Sequence, residues 1–179
     1  MKKEFIKLSG MLFVITLVAA LLLAGVNKLT EERILIAAEK ASEESMQKLV
    51  PEAENFRPIN ETVFEGERKN KVAGYCVKVE PLGFAGKIEM MVGFSFEGEL
   101  LGIDILQSTE TAGLGAKADD AGFKNQFKGK STDLTVQKSE TNNENEIQAI
   151  TGATITSRAV AEGVRMAAEE LKKIKGGNI

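Results

Sequence analysis

No histidine occurs anywhere in the 179 residues, and only one cysteine does. Without histidine the chain lacks the commonest general base and the commonest transition-metal ligand, which excludes histidine-dependent triads and most zinc sites. Cys76 has no intramolecular partner for a disulfide, so the fold must be held by packing. A net charge of −3 supplies no basic field for a phosphodiester polymer, which argues against nucleic acid as a partner. The chain also has no GxxxxGK[ST] loop and no GxGxxG fingerprint behind a strand, so the P-loop and Rossmann readings fall away.

What is there has globular composition, 43% apolar and 27% charged, in a length that suits one domain plus an anchor. Residues 8–27, LSGMLFVITLVAALLLAGVN, carry no charge, and a helix of that length rises ~30 Å, the thickness of a bilayer's hydrocarbon core. The run is longer than the core of a cleaved signal peptide, and Val26 stands where a lipoprotein signal would need cysteine. A transmembrane helix is therefore expected at 8–27. Lys2, Lys3 and Lys7 before it against Lys28 and Arg33 after it favour residues 1–7 inside and the rest outside.

Beyond the span, Thr30 followed by Glu31 and Glu32 suggests the capped start of a stalk helix over 28–50, with Ile34, Leu35, Ala38, Ala41 and Met46 at helical spacing and Pro51 as its stop. A domain over 51–179 follows. Strands are predicted at 62–65, 72–80, 87–96 and 100–106, with Glu97-Gly98 as a hairpin turn, and a further strand at 134–137. A short helix is predicted over 118–127 and a polar loop over 140–146. The last helix is predicted from Ile155 to Lys175, where Ile155, Val160, Val164, Ala167, Ala168, Leu171 and Ile174 keep a 3.6-residue rhythm and Gly176-Gly177 ends it. The expected fold class is α+β, a small antiparallel sheet covered by helices on one side.

Three loops are candidates for chemistry. Thr151-Gly152-Ala153-Thr154-Ile155-Thr156-Ser157 opens the last helix and gathers hydroxyls and free N–H groups at the positive end of its dipole, which suits a phosphate. Taken alone, it also reads as an ordinary N-cap, but one hydroxyl is enough for capping and here there are four. Ser108 to Lys117 follows a strand, and its glycines allow backbone to approach something flat, although a plain glycine turn has the same spacing. Gly83-Phe84-Ala85-Gly86-Lys87 reads most simply as a hairpin connection with Lys87 in solvent. Cys76 reads as a small core hydrophobe, and Asp119, Asp120, Glu144 and Glu146 as solvated surface rather than a cation site.

These loops resemble the FMN-binding domain found in the G subunit of Rnf electron-transport complexes and in the C subunit of sodium-pumping NADH:quinone reductases. The likeness rests on the [ST]-G-A-T motif at Thr151 to Thr154, the E-T-x-G-L-G-x-K loop at Glu110 to Lys117, and the G-x-x-G-x-I-x-x-M-V-G stretch at Gly83 to Gly93. With the anchor they cover nearly the whole chain, and the short length is closer to the Rnf protein.

The resemblance implies an electron-transfer flavoprotein with no complete active site of its own, acting within an ion-translocating ferredoxin:NAD+ oxidoreductase. It implies FMN joined through its phosphate to Thr154 by a separate flavin transferase using FAD. It also implies a pocket drawn from Thr151, Gly152, Ala153, Thr156, Glu110, Thr111, Gly113, Leu114, Gly115 and Lys117, with Leu114 on a face of the ring and Gly113 and Gly115 permitting approach. The implied partners are the D, A and E membrane proteins of the Rnf complex and its peripheral C and B proteins. One departure stands out: the family usually has Asp three residues before the first motif threonine, and here that position is Gln148. Two other readings stay open at this level, a free-standing membrane-anchored FMN electron carrier and a tethered interaction domain without a cofactor.

Overall fold

The computed structural model describes residues 2–141 and 143–176; Asn142 of the expected polar loop and Gly177 of the expected helix end lie outside the described residues. The chain divides into two units, one up to Lys40 and one from Ala41 onward. Helix α1 runs Lys2–Leu49, and its stretch from Ile6 is long and apolar enough to cross a membrane. Leu12, Leu21, Leu22 and Leu23 are all exposed, as side chains meant for lipid would be. Thr30 does not start a second helix as expected. It lies inside α1 and its hydroxyl donates to the carbonyls of Val26 (3.0 Å) and Asn27 (3.2 Å). Neither glycine nor proline occurs between Gly25 and Pro51, so nothing interrupts the helix there.

In the second unit, β1 (Asn55–Pro58), β2 (Val63–Arg68), β3 (Lys71–Val79), β4 (Ile88–Ser95) and β5 (Leu100–Ser108) form an antiparallel meander in sequence order. The turn between β2 and β3 is Lys69-Asn70, both with positive φ (49° and 61°), the geometry that matches strand twist in a two-residue hairpin. The expected turn at Glu97-Gly98 is present, with Gly98 at φ 103°. Three elements differ from expectation. Strand β1 is additional to the predicted set. The 118–127 segment is not one helix but a 3₁₀ turn at Gly115–Asp119, helix α2 (Ala121–Lys124) and a second 3₁₀ turn at Asn125–Phe127. Finally, β6 (Thr135–Gln137) pairs in parallel with β7 (Glu146–Gln148), so Glu146 is strand rather than loop.

Helix α3 (Thr154–Ile174) lies across one face of the sheet. Alternation sorts the strand residues by face: Tyr75, Val77, Val79, Ile88, Met90, Val92 and Phe94 join Val160, Val164, Ala167 and Leu171 of α3 in the main core. Each Val, Leu, Ile, Met or Phe among them, fully buried, contributes roughly 1.5–3 kcal/mol. A Cβ at Gly163 would lie 2.5 Å from Met90 Sδ and 2.9 Å from Pro81 Cγ, so helix and sheet leave no room for a side chain there.

The opposite face is also covered, contrary to the one-sided arrangement expected. Cys76 and Met91 point to it and pack with Met46, Leu49, Val50 and Ala53 from the end of α1 and the turn after it. The sheet is floored with glycine beneath them: a Cβ at Gly93 would lie 2.7 Å from Leu49 Cβ, and one at Gly74 3.1 Å from Val50 Cγ1. This glycine floor allows the helix end to sit against backbone. Residues 41–49, expected as stalk, thus supply the second core.

Candidate functional site

The N-terminus of α3 opens on a cleft of about 410 Å³, within the range typical of ligand pockets. Three segments build it: the β3–β4 loop through Phe84, the segment after β5 through Glu110, Thr111, Leu114 and Gly115, and residues 152–156. Phe84, Ile155 and Leu114 on its walls are 70%, 54% and 44% exposed. Three large apolar side chains held in water around one cleft suit a flat apolar ligand. Ile155 does not join the core as the helical rhythm suggests. The buried face of α3 runs through Thr156, Val160, Val164, Ala167 and Leu171, about a hundred degrees of helix rotation away, so Ile155 projects at the rim.

Glu110 joins the three segments. It is only 9% exposed, and its Oε1 accepts from the N–H groups of Phe84 (2.7 Å) and Ala85 (2.9 Å) while Oε2 accepts from the Thr156 hydroxyl (2.7 Å). A buried carboxylate must have such partners, since an unpaired one costs several kcal/mol. The approach explains two motif glycines. A Cβ at Gly83 would strike Glu110 Oε1, and one at Gly115 would strike Glu110 Oε2 and lie 2.8 Å from Thr156 Oγ1. Gly115 therefore makes room for Glu110 and also lines the cleft. Gly113 has φ 77° and open space around it, so its demand is conformational.

The four hydroxyls at the helix start have different situations. Ser157 is buried; its Oγ accepts from the Ile150 N–H (2.9 Å) and donates to the Ala153 carbonyl (3.0 Å). Thr156 is buried and bound to Glu110. Thr151 is exposed and off the cleft wall. Thr154 lines the cleft, and its hydroxyl makes no hydrogen bond among the described residues. No side chain caps the helix at Ala153, so the N–H groups of Thr154, Ile155 and Thr156 have no carbonyl within the helix to bond. The alternative reading of the segment as an ordinary N-cap does not hold, since no side chain caps the helix.

Of the residues named from the sequence, Glu110, Thr111, Leu114, Gly115, Gly152, Ala153, Thr154 and Thr156 line the cleft, while Thr151, Gly113 and Lys117 do not. Phe84 and Ile155 are cleft residues that sequence reasoning misses. The signal for Phe84 lies in the sequence: a large aromatic between two glycines in an exposed loop. Lys87, expected in solvent, is largely exposed and pairs with Glu80 at 2.9 Å.

Outside the cleft, Cys76 is fully buried, and burial pushes its thiol up to about 12. It is an inert core residue at neutral pH. Asp104 of β5 is shielded from water, which pushes its carboxyl up, but the hydrogen bond and charge of Lys124 (2.8 Å) together with Lys48 (3.5 Å) outweigh that and leave it below the usual carboxylate range. Lys124 also reaches Asp119 at 2.6 Å. Gln148, three residues before Thr151, lies in β7. Its backbone N–H donates to Gln126 Oε1 (2.7 Å) and its carbonyl accepts from Gln126 Nε2 (3.4 Å).

Residues 83–169 match the profile of FMN-binding domains, a span that begins with the Phe84 loop and ends within α3. An anchor helix, a meander under α3 and a cleft at the uncapped end of α3 define a membrane-anchored FMN-binding protein. The chain is 37% identical over 166 residues to the G subunit of the proton-translocating ferredoxin:NAD(+) oxidoreductase complex of Clostridium ljungdahlii, covering 89% of this chain and 88% of that one. To the G subunit of the Na(+)-translocating complex of Acetobacterium woodii it is 38% identical over 187 residues, covering 92% and 90%. It therefore belongs to the family of G subunits of ion-translocating ferredoxin:NAD(+) oxidoreductase complexes. Among solved structures it resembles the C subunit of the Na(+)-translocating NADH-quinone reductase of Parabacteroides distasonis, with TM-score 0.52 and 25% identity over 62% of this chain and 60% of that one.

Proposed function

We propose that this chain carries FMN as a phosphodiester on Thr154 and serves as the electron-carrying flavoprotein of an Rnf-type complex, with its N-terminus inside and its FMN domain outside the membrane. One observation supports the attachment point: of the four hydroxyls at the start of α3, Thr154 alone is both on the cleft wall and free of a hydrogen bond. A phosphate there retains one negative charge, which the helix end stabilises by up to ~1 kcal/mol.

Attachment from FAD balances simply. The Thr154 Oγ–phosphorus bond forms, the pyrophosphate bond breaks, and AMP leaves with the hydroxyl proton, under a separate transferase. Bound FMN supplies a group that takes up and gives up electrons. The chain's own residues do the rest. Phe84, Leu114 and Ile155 line the cleft and would offer apolar surface to the ring, and the N–H groups of the first turn of α3 would bind the phosphate. The bond is through the phosphate, so the ring is chemically unaltered and its potential is set by the cleft. Partners in this reading are the D, A and E membrane proteins and the peripheral C and B proteins of the complex.

The test uses full-length protein purified after co-expression with a flavin transferase. Its mass should exceed the sequence mass by one FMN less one water, and its SDS gel band should fluoresce. Thr154→Ala should lose both signals, whereas Thr151→Ala should keep them. A wild-type mass equal to that of the bare sequence sinks the attachment, and failure to copurify with multi-span membrane proteins sinks the assignment to a complex.

A further inference from the structure

Of the ten side chains and glycines that line the cleft, Glu110 is the one that ionises. It is not a surface acid that drifts into the site. Both its oxygens are held by donors from two other segments, and three motif positions, Gly83, Gly115 and Thr156, are shaped to receive it. Such a construction is excessive for a loop clip, because a neutral amide could accept from the two N–H groups and donate to the Thr156 oxygen without the cost of burying a charge.

We propose that Glu110 is a positioning residue that also sets the redox potential of the group in this cleft: it locks the Phe84 loop against α3 and holds a fixed negative charge on the cleft wall. The inference rests on the FMN reading above. Reduction adds negative charge to a flavin ring, and a nearby buried carboxylate opposes that addition because little water screens it. The potential is therefore held low. The same carboxylate keeps the Phe84 and Ala85 N–H groups directed inward, which fixes where the Phe84 ring can lie. Its charge and its reach are separable by substitution.

Glu110→Gln removes the charge and keeps the shape. Its carbonyl accepts from Phe84 and Ala85, and its amino group donates to Thr156 Oγ1, whose hydroxyl rotates to receive it. Glu110→Asp keeps the charge and, one methylene shorter, loses the reach.

Two measurements on full-length protein in detergent separate these effects. Spectroelectrochemical titration of the flavin-loaded protein should give Glu110→Gln a midpoint potential above wild type and leave Glu110→Asp nearer wild type. Amide exchange at Phe84 and Ala85, read in protein made without the transferase, should show the reverse. Glu110→Asp should accelerate it about tenfold or more, as the loss of both hydrogen bonds requires, and Glu110→Gln, which keeps the bonds without their charge, should accelerate it less.

A Glu110→Gln potential equal to wild type overturns the electrostatic half, and unchanged exchange in Glu110→Asp overturns the latch. A folded Glu110→Gln chain that accepts no flavin also overturns the proposal, since the charge would then act on loading. If wild-type protein itself accepts none, the FMN reading fails by itself, while the exchange result still decides the latch.

Discussion

The two faces of the sheet solve the same packing problem with opposite chemistry. On the α3 side, glycines at 83 and 115 leave space for a carboxylate, and the result is a cleft with hydrogen-bonded walls. On the far side, glycines at 74 and 93 leave space for Leu49 and Val50, and the result is a dry seat for a helix end. The Gly83 to Gly93 stretch contributes to both: its first glycine serves the cleft and its last serves the helix seat. A motif that looks like one ligand loop is thus two structural devices joined by a strand.

Substitutions that strike one face should spare the other. The largest stability effect is expected from Leu49→Ala, which leaves a cavity over the glycine floor and should cost about 2–4 kcal/mol. Thermal unfolding should show it, while the flavin band on a denaturing gel persists; loss of the band would mean the faces are not independent. Gly115→Ala should cost about 1–3 kcal/mol by overpacking Glu110 and Thr156, and should reduce flavin loading more than Leu49→Ala does despite the smaller destabilisation.

Smaller effects refine the contrast. Asp104 adds ion pairs beside the apolar seat, and its carboxyl is held below the usual range. A depressed folded value means its contribution is present above the unfolded carboxyl value of about 4 and is lost as pH falls through the folded one. The melting temperature of wild type should therefore fall more steeply below pH 4 than that of Asp104→Asn, which should be about 1–2 kcal/mol less stable at neutral pH. Parallel pH curves would remove Asp104 from the account. The smallest effect concerns Cys76: folded protein at neutral pH should resist a maleimide that labels it rapidly once unfolded, because burial holds the thiol protonated.

The parts legible from sequence are those with a sustained period or a special turn. Strands β2 to β5 and helix α3 have both, and their predicted ends lie within a few residues of the observed ones. Strand β1, Asn-Phe-Arg-Pro, is short, mostly exposed and ends in proline, so it has no alternation to read; its pairing with β2 defines it. Strand β7 is three residues long and exists through its parallel partner. In the cleft, the hydroxyl and glycine loops are legible, but their partnerships are not. That Glu110 faces Phe84, Ala85 and Thr156 depends on residues 26, 25 and 46 positions away in the chain, a distance no local pattern spans. The burial of Met46 and Leu49 against the sheet is hidden for the same reason.

Gln148 has its main chain gripped on both sides of its Cα by a single side chain, Gln126. The grip uses backbone groups that every residue type has, so the fold tolerates amide or acid at this position alike. The side chain is absent from the cleft wall. An acid installed here should therefore leave the melting temperature close to that of wild type, because the grip that holds the strand does not involve the side chain being changed.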